Sequence, residues 1–260
     1  MAVISDGIRS DGIHGWRRRA LAVIIALGVA VTLLINSAPA QAVQRPAVIG
    51  KRVIGHSVQG RSITAWHLGN AHAKTTVVLI AQMHGNEQRV ASILYSLRDG
   101  KAITGINLWV VPSYNPDGHA HDTRQNAHGV DLNRNYPTGW RRTTGAYNSG
   151  KKAASEPETR AMMKFLKRVK PDYVISFHQP LHGVDLLTKR KSFSHKLAKA
   201  LKLPNKRFSC DGGCHGTLTM WFNHNFHGEA ITVEYGSTPS RDRMRHKAVT
   251  QLLGVFGAKR

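Results

Sequence analysis

The sequence predicts an α/β sandwich around a largely buried sheet, and two observations carry that expectation. Short apolar, β-branched runs recur along the chain, and stretches of helical character separate them. A third observation is a long connection with little apolar periodicity, the kind of segment that usually carries function inside a compact domain. At 260 residues the chain is long enough to bury a full core and short for two, so one domain behind a leader is expected.

Taken in order, the segment from Val53 to Leu68 has strand-like halves on either side of a turn centred on Gly60, an opening hairpin. The runs Thr75 to Ala81, Ile106 to Val111, Tyr173 to Phe177 and Ala230 to Val233 read as buried strands. Helices are expected over Glu87 to Arg98, Glu156 to Val169, Phe193 to Leu203 and about Arg241 to Phe256. Pro157 is compatible with the second of these because the first turn has no N–H bond to lose. The long connection runs from Asn115 to Ser155 and is rich in Asn, Gly, Arg and Pro.

Residues 1–42 differ from the rest. Arg17, Arg18 and Arg19 precede an apolar run from Ala20 to Ile35, and small residues end in Ala-x-Ala sites at Ala40 and Ala42. That order describes a secretory signal peptide, with an uncleaved N-terminal membrane anchor as the alternative. Residues 43–260 then form the working domain, outside the cytoplasm in either case, with no long prosegment before the hairpin. They carry 33 basic and 13 acidic residues, a formal charge of +20. No nucleic-acid-binding motif or aromatic-basic platform accompanies this charge. In an exported protein an anionic cell wall or membrane surface explains it equally well, and a solvated basic surface with no specific partner is the plainer alternative. The only cysteines, Cys210 and Cys214, are expected to close a small disulfide loop in an oxidising compartment.

The chemistry gathers at strand ends. His84-Gly-Asn-Glu87 follows the run Val77 to Ala81, and His178 closes the strand that begins at Tyr173. Ligands collect at such ends in open α/β sheets. Two imidazoles and one carboxylate leave a tetrahedral zinc one open position, the catalytic pattern. Glu234 ends another apolar strand and aims a carboxylate at the same rim, where it can move protons. In the long connection, Asn115-Pro-Asp-Gly118 precedes Asp131-Leu-Asn-Arg-Asn-Tyr-Pro137. The planar fork of Arg134, flanked by Asn133, suits a substrate carboxylate; the plainer alternative pairs Arg134 with Asp131 to stitch the loop together.

These segments, in this order and together with Thr232-Val-Glu-Tyr235 and the hairpin stretch Ile54 to Arg61, resemble the zinc carboxypeptidase family, the carboxypeptidase A-like metallopeptidases, over residues 50–255. The resemblance implies a three-layer α/β/α sandwich with a mixed, twisted sheet. It also implies one zinc ion on His84, Glu87 and His178, with Glu234 as general base and acid. Asn133 and Arg134 would grip the substrate carboxylate. The family's oxyanion arginine falls on either Arg124 or His121, and its substrate-capping tyrosine has no clear counterpart. Within the family, the run from Thr123 to Pro137 looks most like the bacterial murein peptide amidase branch, whose members cut γ-D-glutamyl-diaminopimelate bonds in cell-wall peptides.

The expected activity is therefore zinc-dependent hydrolysis of a peptide or amide bond next to a substrate carboxylate, with a cell-wall stem peptide as substrate and a monomer as the simplest assembly. A general extracellular carboxypeptidase and a deacylase of N-acyl amino acids are the enzymatic alternatives. A wall-binding protein without turnover is the alternative from another class, and it has no use for a base beside an open metal site.

Overall fold

The computed structural model describes residues 46–209 and 214–260; the leader reading of residues 1–42, and Cys210 of the cysteine pair, lie outside them. The hairpin is present as β1 (Val48–His56) and β2 (Ser62–Gly69), antiparallel. There follow β3 (Thr76–Ile80), α1 (Gln88–Arg98) and β4 (Asn107–Val111). After the long connection come α3 (Pro157–Val169) and β5 (Tyr173–His178), with the short helix α2 (Pro116–Ala120) inside the connection itself. The chain then forms β6 (Leu181–Asp185), α4 (Lys191–Leu201), the two-residue β7 (Asn205–Lys206), α5 (Leu218–Asn225) and β8 (Glu229–Gly236). A π-helical turn, Arg243–Lys247, leads into α6 (Ala248–Val255).

The eight strands form one sheet in the order β1-β2-β4-β3-β5-β8-β6-β7. β4, β3, β5 and β8 run parallel in its middle, and antiparallel pairs flank them at β2 with β4 and at β6 with β8. The sheet is therefore mixed, as the resemblance implies. Its side chains alternate between two cores. Val77, Leu79, Ile175, Phe177, Ile231 and Val233 pack with α1, α4 and α6. Val78, Ile80, Val174 and Ala230 pack with α3, α5 and the buried residues Tyr114, Leu132 and Tyr136 of the long connection. Helices on both faces make three layers, which explains why the central strands read as continuous apolar runs rather than alternating ones.

Four elements were not legible as such: α2, β6, β7 and α5. Each is short, and β6 carries His182 and Gly183 where a buried strand would carry apolar residues. α5 is capped by Thr217, whose hydroxyl accepts from the Met220 N–H at 3.1 Å.

One buried carboxylate ties the first hairpin to the long connection. Asp117 accepts from the Ser57 hydroxyl at 2.7 Å, the Gln59 N–H at 2.9 Å and Arg61 Nη1 at 2.7 Å. Burial opposes its charge, but these donors outweigh burial and hold its carboxyl below the ordinary aspartate range. A carboxylate with a depressed folded pKa contributes stability that is present above its unfolded pKa and is lost as pH falls through the folded value. Asp117→Ala is expected to cost about 3 kcal/mol at neutral pH, with the difference from the parent shrinking at acid pH; urea unfolding at both pH values checks it.

Candidate active site

The centre of the sheet builds the site. β5 and β8 pair in parallel with His178 directly beside Glu234. Strand alternation puts His178 on the face of Val174 and Ser176, and Glu234 on the face of Ala230 and Thr232, the side covered by α5 and the long connection. β3 ends one strand over, and the chain beyond it carries His84 to the same rim, with Glu87 at the N-cap of α1. From β3 the chain passes to β4 on one side and later returns to β5 on the other, so the rim lies where the strand order reverses, the usual place for a site in such sheets.

Two close approaches fold the long connection over this rim. Gly85 lies so near Gly118 that an added Cβ would sit 1.9 Å from the Gly118 carbonyl carbon. Backbone bonds join Gly85 N to Arg124 O at 3.4 Å and Asn86 N to Thr123 O at 3.1 Å, which brings Arg124 alongside His84. Further on, Gly216 has φ +58° and no room for a Cβ, which would meet the Arg134 carbonyl oxygen at 2.4 Å. The Tyr136 N–H donates to the Gly216 carbonyl at 2.9 Å, and the Leu218 N–H donates to Asn133 Oδ1 at 3.1 Å. These bonds lock the Asn133–Arg134 turn against α5.

The three expected ligands converge. His84 Nδ1 lies 2.6 Å from Glu87 Oε1, His178 Nδ1 lies 2.9 Å from Glu87 Oε2, and the two Nδ1 atoms are 3.3 Å apart. The far ring nitrogens are occupied: His84 Nε2 lies 3.1 Å from Asp131 Oδ1, and His178 Nε2 lies 2.8 Å from Ser176 Oγ. All three residues are buried, and their ligand atoms lie within 4.8 Å of one another. Two Nδ1 donors and a carboxylate suit a catalytic zinc with an open position. The electrostatics agree with that fit. Burial alone would neutralise Glu87, yet His84 and His178 hold its carboxyl down at about 2. Burial opposes protonation of His84, yet Glu87 and Asp131 raise it to about 9. The cluster is anionic enough to retain a positive charge in its midst.

Asp131 is fully buried and holds two residues at once. Its Oδ1 also accepts from the Asn133 N–H at 2.8 Å, and its Oδ2 receives Arg124 Nη2 at 2.7 Å and Nε at 3.1 Å. Burial disfavours its charge, but His84 and then Arg124 keep the carboxyl well below the usual range. Because such a partner orients a ligand imidazole, Asp131→Asn is expected to weaken zinc affinity about 10- to 100-fold, read by competition with a coloured chelator.

The same tertiary contacts separate the alternatives left by the sequence. Arg124 lines the cavity, with Nη1 3.2 Å from His84 Nδ1; His121 faces Gln59 on the surface and is not part of the lining. Arg134 does not pair with Asp131. Its Nη1 donates to the Asn133 carbonyl at 2.9 Å, and its guanidinium, like that of Arg124, lies over the Tyr147 ring, at 5.2 and 5.3 Å. Tyr147 was missed because a lone aromatic in a polar loop gives no local signal. Glu234 is 8% exposed and accepts from the Leu181 N–H at 3.2 Å. Burial, with Glu87 adding to it and His178 opposing it, raises its carboxyl above the ordinary glutamate value. The cavity that joins these groups has a volume of about 540 Å³.

The family described as zinc carboxypeptidase matches residues 38–181, more than half of the chain, and the match includes all the candidate site residues except Glu234. Murein peptide amidase A of Escherichia coli K12 is 31% identical over 169 residues, spanning 60% of this chain and 69% of that protein. The crystal structure of murein-tripeptide amidase MpaA from Escherichia coli O157 aligns with a TM-score of 0.66 at 27% identity, over 80% of this chain and 92% of that one. Carboxypeptidase A from Helicoverpa armigera aligns with a TM-score of 0.65 at 17% identity over 81% of this chain and 68% of that one, a likeness of fold.

Proposed function

This chain belongs to the zinc carboxypeptidase family, and on that premise we propose that it is an exported zinc hydrolase that cuts the γ-D-glutamyl-diaminopimelate bond of cell-wall peptides. The observation that carries the reading is the convergence of His84, Glu87 and His178, with Glu234 beside them and the guanidinium groups of Arg124 and Arg134 in the same cavity. The substrate class is supported by the similarity to murein peptide amidase A, and wall association by the charge of +20 on residues 43–260.

His84, Glu87 and His178 would hold a zinc ion, which when bound would supply Lewis acidity toward a scissile carbonyl and an attacking water. Glu234 takes a proton from the attacking water and returns it to the leaving amine. Arg124, fixed by two bonds to Asp131, faces the carbonyl oxygen as negative charge develops there. Arg134 and Asn133 hold the carboxylate of the leaving residue and so set the register of the scissile bond.

Residues 1–42 act as the export signal, and Cys210 pairs with Cys214 in a disulfide. No free cysteine occurs among the described residues, and mass measurement with and without reduction, after alkylation, tests the pairing. N-terminal sequencing of protein recovered outside the cytoplasm tests the cleavage. The substrate assignment is tested by giving the zinc-loaded protein L-alanyl-γ-D-glutamyl-diaminopimelate and a plain L-peptide. Release of diaminopimelate from the first alone is expected. Release of a C-terminal residue from the plain peptide would instead make it a general carboxypeptidase, and no cleavage of either would count against both enzymatic readings.

A further inference from the structure

A second cavity, of about 650 Å³, lies in the long connection and takes no part in the mechanism. Arg142, Lys151 and Lys152 line it, together with Thr144, His128 and Glu156. The three cations are exposed, and among the described residues none of them pairs with a carboxylate. Glu156, the carboxylate in the lining, is committed elsewhere. Its Oε2 lies 2.8 Å from His128 Nδ1 and accepts from Asn126 Nδ2 at 2.8 Å, and its Oε1 accepts from the Ser155 hydroxyl at 2.6 Å. The cavity therefore holds positive charge that its own walls do not offset.

The segments that carry these cations are fixed before any ligand arrives, which lowers the cost of binding one. The Thr143 N–H donates to the Ser149 hydroxyl at 3.0 Å, and the Gly150 N–H donates to Asn148 Oδ1 at 3.1 Å. Asn135 Nδ2 donates to the Ser149 carbonyl at 2.8 Å and to the Lys152 carbonyl at 3.2 Å, while the Asn135 carbonyl accepts from the Ala154 N–H at 2.7 Å. Asn135 follows Arg134 directly, so one turn positions both the active-site guanidinium and the lysine-bearing loop. The two cavities also share a wall: Thr144 and Gly145 line this one, and Tyr147 lines the other.

A space of this size suits a ligand larger than a single small ion, and three partnerless cations call for at least two negative charges on it. A carboxylate presents two coplanar oxygens, whereas the oxygens of a phosphodiester diverge and can meet donors that arrive from two segments, here residue 142 and residues 151–152. We infer that this cavity binds consecutive phosphodiester groups of an anionic surface polymer, as a docking site beside the active site and separate from the peptide that is cut. One preorganised cluster, rather than the basic surface as a whole, then anchors the protein and keeps the peptide cavity next to the polymer. Docking of this kind holds whichever bond the active site hydrolyses.

Fluorescence anisotropy of a labelled glycerol-phosphate oligomer, read on the zinc-loaded protein at low salt, tests the site without turnover. The triple variant Arg142→Gln, Lys151→Gln, Lys152→Gln is expected to bind the oligomer at least about 10-fold more weakly than wild type. Its log affinity should also fall less steeply with log salt, by about 2 in slope. A second triple variant, Lys191→Gln, Lys196→Gln, Lys199→Gln, removes the same charge from exposed positions of α4 and should bind like wild type. Equal losses in the two variants would mean that diffuse charge attracts the oligomer, and would overturn the site. Wild-type protein decides the ligand class without any variant: polyglutamate of the same charge should bind more weakly, and equal binding overturns the assignment to phosphate. Binding to phosphatidylglycerol vesicles with none to the oligomer would give the cavity to a membrane surface and overturn the polymer. Cleavage of the soluble tripeptide should be unchanged in both variants; a variant that loses it is misfolded, and the wild-type comparison then decides. Because binding is read apart from cleavage, failure of the hydrolase reading would leave this result standing.

Discussion

Glu234→Gln is expected to lower kcat on the order of 10³-fold while zinc content stays at one ion per chain. The glutamine keeps the shape and the bond from the Leu181 N–H but cannot take a proton from water. Glu234 is not among the three ligands, so metal binding should survive. The variant should also fold at least as well in the metal-free state. An acid whose pKa is raised by folding favours the folded protein at low pH and opposes it once ionised, and burial raises this one. Removing the charge therefore maintains or raises the melting temperature at neutral pH. Kinetics, metal analysis and thermal unfolding on one preparation check all three. A zinc-loaded variant that turns over normally would remove Glu234 from the mechanism.

Arg134→Met should reduce kcat/KM by about 100-fold or more for a substrate whose leaving residue has a free α-carboxylate. Arg134 is buried, and its guanidinium is already desolvated and stacked on Tyr147, so little further ordering is needed when a carboxylate arrives. Burial lowers its pKa, with Asp131 opposing and Arg124 reinforcing the shift; that strain is relieved when an anion binds. The informative control is the same substrate as its C-terminal amide. Wild-type enzyme should handle the amide poorly, and Arg134→Met should lose little more on it. An equal loss on acid and amide would mean that the substitution damages the cavity rather than the recognition of a carboxylate.

The disposition of these residues separates two kinds of information. Val77 to Ala81, Tyr173 to Phe177 and Ala230 to Val233 are apolar beyond what one exposed face allows, and a polar residue that ends such a run must emerge at the sheet rim. His178 and Glu234 were legible for that reason, as was the His84-Gly-Asn-Glu87 turn after β3. Helices α1, α3 and α4 were legible from their apolar spacing, with ends shifted by one or two residues, and the last expected helix, about Arg241 to Phe256, is present as the π-helical turn Arg243–Lys247 followed by α6.

What the sequence alone determined is therefore the set of strand-end donors, the layered α/β class and the family pattern, because alternation and burial are properties of a segment a few residues long. Which of Arg124 and His121 reaches the cavity was decided only by the contact of residues 123–124 with residues 85–86. That Asp131 serves His84 and Arg124 rather than Arg134, and that Tyr147 underlies both guanidinium groups, depend on loops meeting across the sheet. Those meetings are set by packing between residues far apart in the chain, and no local pattern in the sequence records them.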